Sequence, residues 1–546
     1  MEAGISRLPF LWRGNMKSKA SLFYSIGLLL AAVALYGRFL WNPILFDDMY
    51  FFAPGDMSHS QIDQYHYSPF EIRSLPYATL AWGKSAFGSA MLHFRVGNLM
   101  LHAAAAIALF FFLSRLFDAV YLKRAGSLLS SRAMAFCAAL LFTLHPVAVY
   151  AAGYLVQRSI VMATLFSLLA MLAWLHGNLR DKPLWLWASV FLYYLAVFSK
   201  EHAVMLPAIL VALTLLLHED WQARLRRIWV ILLAFAGIAL FVVAVKKGVL
   251  GSAYEIYAPE MLDAESGMSY PLSVMTQCWL FFKYAGLWMF PNPVWMSVDM
   301  REPFAQSLLS PYLLAMVAFL VWGGTAAWLL FRRGRAGLLG FAMLFPWLMF
   351  LTELSTVRIQ EIFVLYRSYL WVVGACVILP LLLDMLDKKI AGVIVAAIAL
   401  AMVPISMDRL ASFAHPLMLW SDAEKLVKGR DDLPGAYRIH FNLGTELVKV
   451  DEYDAAIRQL ERSIALKPDW PFAFNNLGFA YMKKMQWQEA IGHFNKSIEI
   501  LGSQGKIYSR SFLGRAMAYE AMGETGKAKE DYRVTCRLIK KGCEKL

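Results

Sequence analysis

Residues 21–50 read SLFYSIGLLLAAVALYGRFLWNPILFDDMY, an apolar run from Ser21 to Trp41 followed by Phe46-Asp47-Asp48-Met49-Tyr50. The run is long enough to cross a bilayer as a helix, which takes about 20 apolar residues. Two adjacent carboxylates stand just beyond its end. Half-burying one carboxylate at a membrane edge is costly, and a like charge beside it raises the pKa of both. Such a pair suits a group that takes up a proton at a membrane surface; two solvated interfacial aspartates are the plainer alternative.

Working outward, similar runs recur. The 546 residues are 59% hydrophobic and only 17% charged, with a mean hydropathy of +0.51. That composition belongs to a polytopic membrane protein. Apolar stretches lie near 21–41, 94–114, 132–150, 155–175, 184–199, 203–218, 228–245, 310–331, 338–352, 365–384 and 390–407. The expected fold is all-α: a membrane bundle of roughly eleven spans over residues 1–409, then a second helical domain over 410–546. The N-terminal run lacks a small-residue cleavage site and reads as an anchor, not a signal peptide.

The net charge of +13 could point to nucleic acid, but its placement points to a membrane. Arg7, Arg13, Lys17 and Lys19 precede the first span. Lys123 with Arg124, Arg180 with Lys182, Arg224 with Arg226 and Arg227, Arg332 with Arg333 and Arg335, and Lys388 with Lys389 follow in alternate loops. Basic residues gather in cytoplasmic loops. The first loop on the other side is acidic, with Asp47, Asp48, Asp56, Asp63 and Glu71. The expected topology therefore has a cytoplasmic N-terminus, with the aspartate pair and the C-terminal domain outside. Thr276–Phe290 is interrupted by Lys283 and closed by Pro291-Asn292-Pro293, so it reads as a re-entrant or interfacial helix on the outer face.

Beyond residue 410 the chain turns charged and periodic. Leu443-Gly444 recurs as Leu477-Gly478, Ala456 as Ala490 and Pro434 as Pro468, each at an offset of 34 residues. Tyr481 and Phe494 recur as Tyr519 and Tyr532 at an offset of 38, which puts a four-residue insertion at Gly502-Ser503-Gln504-Gly505. Small residues let paired helices approach, and aromatics fill the holes beside them. This is the tetratricopeptide pattern, whose helix pairs stack into a solenoid with a concave face that usually binds peptide. Trp420 to Pro434 reads as the second helix of a partial leading repeat.

Cys137, Cys278 and Cys376 lie in apolar segments and read as small buried hydrophobes. Cys536 and Cys543 would stand ~10 Å apart along a continuous helix, too far for a disulfide. A helix ended by Gly542 would let Cys543 fold back in an oxidising compartment, so both readings stay open.

Across most of its length the chain resembles bacterial membrane glycosyltransferases of the glycosyltransferase-C fold with C-terminal tetratricopeptide repeats. That group is similar to the transmembrane O-mannosyltransferases of animals. The matching residues are Phe46-Asp47-Asp48; Arg73-Ser74-Leu75-Pro76; His93, Asn98 and His102; His145-Pro146 with Val156-Gln157-Arg158; and Ser199-Lys200-Glu201-His202. Thr276-Gln277, Ser297-Val298-Asp299, Glu353 and Tyr366-Arg367-Ser368-Tyr369-Leu370 complete them. At Tyr366 the family more often has an acidic residue and a histidine before the arginine.

The resemblance implies transfer of a sugar from a polyprenyl-phosphate carrier to a Ser or Thr hydroxyl of an exported protein, such as a pilin, with inversion. Asp47 is the expected general base, with Asp48 orienting it or the acceptor. A lipid phosphate must leave, so fixed cations are needed at the outer face, where Arg gives bidentate contacts and Lys a point charge. The donor phosphate and sugar are expected on Arg73, Arg158, Lys200 and Arg367, with Glu201, Tyr366, Glu353 and His145. The acceptor is expected in the repeat groove, on Tyr437, His440, Phe474, Asn475 and Phe512. No cofactor is expected: a divalent metal is compatible but not required, and no histidine pair has zinc-helix spacing.

The expected location is the bacterial inner membrane, with the repeats in the periplasm and lipids as further partners. Two other classes stay open. A membrane scaffold for secretion, pilus or envelope assembly would use the repeats as a platform, but needs neither the aspartate pair nor outer cations. A glycosyltransferase acting on a lipid-linked glycan would use the same site. A transporter would line a midplane path with its ionisable groups, and here they gather at one face.

Overall fold

The computed structural model describes residues 16–52, 62, 65–121, 129–245, 253–254, 268–430, 432–502 and 505–546. Arg7, Arg13, Asp56, Asp63, Lys123, Arg124 and the Ser503-Gln504 insertion lie outside them. Helices α1 (Met16–Tyr36), α2 (Asp47–Phe52), α3 (Ser74–Phe87), α4 (Met91–Tyr121), α5 (Ser131–Leu144) and α6 (Pro146–Ala152) come first. They are followed by α7 (Arg158–Arg180), α8 (Pro183–Ser199), α9 (Leu206–Leu217), α10 (Trp221–Arg227), α11 (Trp229–Val245) and α12 (Ser269–Met289). Helices α13 (Pro311–Arg332), α14 (Gly334–Phe350), α15 (Ser368–Leu383) and α16 (Lys388–Ser412) finish the bundle. The strand content is small: β1 (Ala253–Tyr254) pairs in parallel with β2 (Thr356–Val357).

The eleven apolar stretches are largely helical, 132–150 being divided between α5 and α6, but fewer of the described helices than the roughly eleven expected are long enough to span. Among the described residues, seven helical segments are long and apolar enough to cross a membrane, and up to nine if two bent pairs each count as one. One bend, of 64°, separates α5 from α6. Helix α12 is not among these segments. Leu22, Phe23 and Leu30 on α1, Leu233 and Leu240 on α11, Leu314, Leu320 and Val321 on α13, and Leu400 on α16 are exposed on the exterior. Soluble monomers rarely leave apolar surface so extensive. Trp174, Tyr193, Tyr369 and Trp371 fill the interior, each a large apolar area removed from solvent.

Contacts sort the polar residues into two ends. At one end Asp181 pairs with Arg224 (2.7 Å) and Arg227 (3.0 Å), Glu219 with Arg333 (3.4 Å), and Asp384 with Arg335 (3.5 Å). The other end holds the aspartate pair and the C-terminal domain. The two sets lie in alternate loops of the chain.

The C-terminal domain is built of α17 (Pro416–Val427), then three helix pairs: α18 (Ala436–Lys449) with α19 (Tyr453–Leu466), α20 (Pro471–Lys483) with α21 (Trp487–Leu501), and α22 (Gly505–Ala521) with α23 (Thr525–Ile539). The leading helix starts at Pro416, four residues before Trp420, because the His415 ring accepts from the Leu417 N–H and caps it. The bundle also runs past residue 409, since α16 continues to Ser412. The repeated glycines sit where helices touch: a Cβ on Gly444 would meet the Leu460 side chain at 2.7 Å, and one on Gly478 would meet Phe494 at 2.7 Å. Ala456 and Ala490 are fully buried opposite. Cys536 and Cys543 form a disulfide, Cα–Cα 4.9 Å. Helix α23 ends at Ile539 and Gly542 takes φ 74°, turning the chain back so that the second cysteine reaches the first.

Candidate functional site

Asp47 and Asp48 open α2, a six-residue helix whose free N–H groups favour carboxylates in its first turn. The turn is set by Phe46, which holds φ 48°, uncommon for a residue with a Cβ. Its ring is kept in place by Trp420 of α17 (edge contact, 5.1 Å) and by Tyr154 (6.4 Å). The two carboxylates are thereby separated. Asp48 is 1% exposed and accepts from the Val156 N–H at 2.9 Å. Asp47 is exposed, and its backbone N–H donates to the Tyr154 hydroxyl at 2.9 Å.

Asp47 opens into a crevice lined also by Tyr150, Tyr154, Asp299, Glu361, Tyr366 and Arg438. Crowding by these walls, then the Glu361 charge, push its carboxyl up to about 6, against the pull of Tyr154, Arg438 and Lys200. Burial pushes Asp48 up to about 7, against Arg95 and the Val156 N–H. The free volume is about 20 Å³, room for about one water molecule. A sugar would have to part the walls.

Around this crevice the expected cations divide by what they touch. Arg73 holds Glu201 in a two-point pair, Nε to Oε2 at 3.1 Å and Nη2 to Oε1. Glu201 thus partners Arg73 from the first outer loop. Arg367 donates to Glu353 Oε2 (3.1 Å) and to Glu361 Oε2 (2.7 Å). Glu353 also pairs with His202 at 2.9 Å and Arg358 at 3.2 Å, so it is the hub of a buried network. Lys200 is 3% exposed, and its ammonium lies over the Tyr366 ring, 5.2 Å from the centroid. Burial, then Arg73, pull it well below its usual pKa, with Glu201 opposing. Burial would raise Glu361, yet Arg367, Tyr366, Arg438 and Lys200 bring it down to about 2.

Two expected donor contacts have other work. Arg158 donates to Asn98 Oδ1 (2.7 Å), Thr79 Oγ1 (3.2 Å) and the Phe94 carbonyl (2.8 Å), tying α7 to α4 and α3. His145 accepts from the Val147 N–H through Nδ1 (3.2 Å), and its Nε2 meets the Trp288 carbonyl (3.0 Å). Both ring nitrogens are used at the bend between α5 and α6, so His145 is a cap, not a sugar contact.

In the repeats, Tyr437, His440, Asn475 and Phe512 are buried between helices and Phe474 is half-buried. His440 Nδ1 meets Gln459 Oε1 at 2.7 Å, and Asn475 Oδ1 accepts from the Ser511 hydroxyl at 3.0 Å. These contacts stack the helices and leave little of the five to meet a peptide. Sequence reading missed Tyr154, Glu361 and Arg438. For Glu361 a signal existed: an acid followed by Ile362-Phe363-Val364-Leu365 is costly without a function or a partner. Among the described residues no group of three His, Cys, Asp or Glu side chains is arranged to hold a metal ion.

The tetratricopeptide repeat family model matches residues 437–469, the α18–α19 pair. No curated protein matches the chain. Among solved structures, the crystal structure of the APC/C hetero-tetramer Cut9–Hcn1 is similar over 86% of this chain and 79% of that one, at 14% identity and a TM-score of 0.21. The family match thus covers one helix pair of the C-terminal domain, and α20–α21 and α22–α23 repeat its helix-pair form.

Proposed function

We propose that this protein is a membrane glycosyltransferase that moves a sugar from a polyprenyl-phosphate donor to a Ser or Thr hydroxyl of an exported protein, at the outer face of a bacterial inner membrane. The observation that carries the reading is the separation of the aspartate pair. Asp47 faces a crevice with a raised carboxyl pKa, while Asp48 is locked to Val156. A base poised near the working pH is what general-base assistance needs. Asp47 takes the hydroxyl proton as the acceptor oxygen bonds to the anomeric carbon. The bond from that carbon to the phosphate oxygen breaks, and the phosphate leaves with the electron pair. Lys200, whose ammonium lies over the crevice residue Tyr366, is the cation assigned to meet it, because an anion would restore the charge that burial disfavours. Arg73 and Arg367, already paired, contribute field from behind.

The apolar exterior supports a membrane location, and the Cys536–Cys543 disulfide supports an oxidising compartment for the repeats. The test is reconstituted protein with a panel of polyprenyl-phosphate hexoses and an exported acceptor, read by intact mass. Asp47→Asn should cut transfer by ~10²-fold or more, with donor binding retained. Retention of more than about a tenth of the rate would place the base elsewhere. Undiminished envelope assembly with no transfer by the native protein would favour the scaffold reading.

A further inference from the structure

Arg438 stands in the first turn of α18, in the repeat domain, yet it lines the crevice of Asp47 and Glu361. Its Nη1 donates to the Gln360 carbonyl at 3.2 Å. Buried Arg301 reaches that same carbonyl at 2.7 Å and the Pro434 carbonyl, just before α18, at 3.4 Å. Asp299 holds Arg301 from the other side at 2.6 Å. On the far flank, Trp420, Leu433 and Ala436 belong to one apolar cluster that Phe46 and Val298 pack against. The start of the solenoid is therefore fixed to both sides of Asp47.

We propose that the repeat domain forms one wall of the active site, with Arg438 as a positioning residue that holds the Gln360-Glu361 corner and supplies positive charge opposite Asp47. This deepens the reading of Asp47 as base and rests on it. The titratable groups facing Asp47 are Glu361, Asp299, Lys200, Arg438, Tyr150, Tyr154 and Tyr366, with Asp48 beside it. Removing Arg438's charge leaves Glu361 less opposed, so the carboxyl would ionise at higher pH. Undocking the domain would admit water and move it the other way. The direction of the shift therefore separates a charge role from a structural one.

The experiment uses the full chain with Arg438→Gln, which keeps a donor for the Gln360 carbonyl without charge, and Arg438→Lys, which keeps the charge. With a short Ser/Thr peptide as acceptor, the acid limb of the pH–rate profile should move up by about one unit in Arg438→Gln and stay in Arg438→Lys. A second readout needs no activity: the pH dependence of alkylation of Asp47→Cys, with Cys137, Cys278 and Cys376 replaced by alanine. That thiol should also titrate about one unit higher when Arg438→Gln is added. An unchanged or lowered thiol pKa would overturn the proposal. A raised thiol pKa, together with no sugar transfer by the protein that keeps Asp47, would uphold the charge pairing and remove the glycosyltransferase reading instead.

Discussion

At the scale of single residues, adjacency in sequence hides a division of labour. Asp47 and Asp48 share a helix turn, but one meets solvent while the other is sealed under Val156. As the proposed base, Asp47 would be active when ionised, so with its carboxyl pushed up to about 6, transfer should rise with pH through that region and level off above it. Glu361 raises Asp47, so Glu361→Gln removes a negative charge and should carry the acid limb to lower pH; a pH–rate profile on peptide acceptor checks the sign. The aspartate pair was legible because two acids beside an apolar run stand out locally. Arg438 was not, because a cation in a charged amphipathic helix is unremarkable until the fold sets it against residue 360. Glu201 shows the same limit: the nearest cation in sequence is Lys200, whereas the partner the fold supplies is Arg73.

At the scale of elements, periodicity carried most of the information. The apolar runs fell on helices because length and composition alone fix a spanning helix. The repeat glycines were legible for a related reason: a small residue recurring at a fixed offset marks where a side chain of the neighbouring helix, here Leu460 or Phe494, fills the space. Gly478→Val should drive a branched side chain into Phe494 and destabilise the solenoid by about 1–3 kcal/mol. The expected readout is a lower unfolding temperature of the repeat domain in the full-length protein; an unchanged transition would mean that α20 and α21 can part at no cost. Harder to read were the groove residues. Tyr437 and His440 lie on a first helix, as the pattern requires, but which side of it packs inward depends on how neighbouring repeats stack, and a single sequence does not display that.

At the scale of the whole molecule, the two polar ends make a direct prediction about sidedness. Asp454 is 74% exposed in the repeats, and Arg227 is 67% exposed at the opposite end. With Cys137, Cys278 and Cys376 replaced by alanine, Asp454→Cys should react with a membrane-impermeant thiol reagent on intact spheroplasts. Arg227→Cys should react only after lysis. The reverse pattern would invert the orientation and place the site on the cytoplasmic side.

One tie across this face bears on how the protein is made. Asn42 Nδ2 donates to the Leu410 carbonyl across 368 residues, a few positions before the aspartate pair. At ribosomal speeds of about 5–20 residues per second, the loop that carries Asp47 waits roughly 20–70 s for its partner to be synthesised. Until then Phe46 has no Trp420 to lean on, and the turn that orients Asp47 is unsupported. If Asp47 is the base proposed above, a chain that has not yet reached Trp420 is idle, and activity begins only once the start of the repeat domain has docked against Phe46.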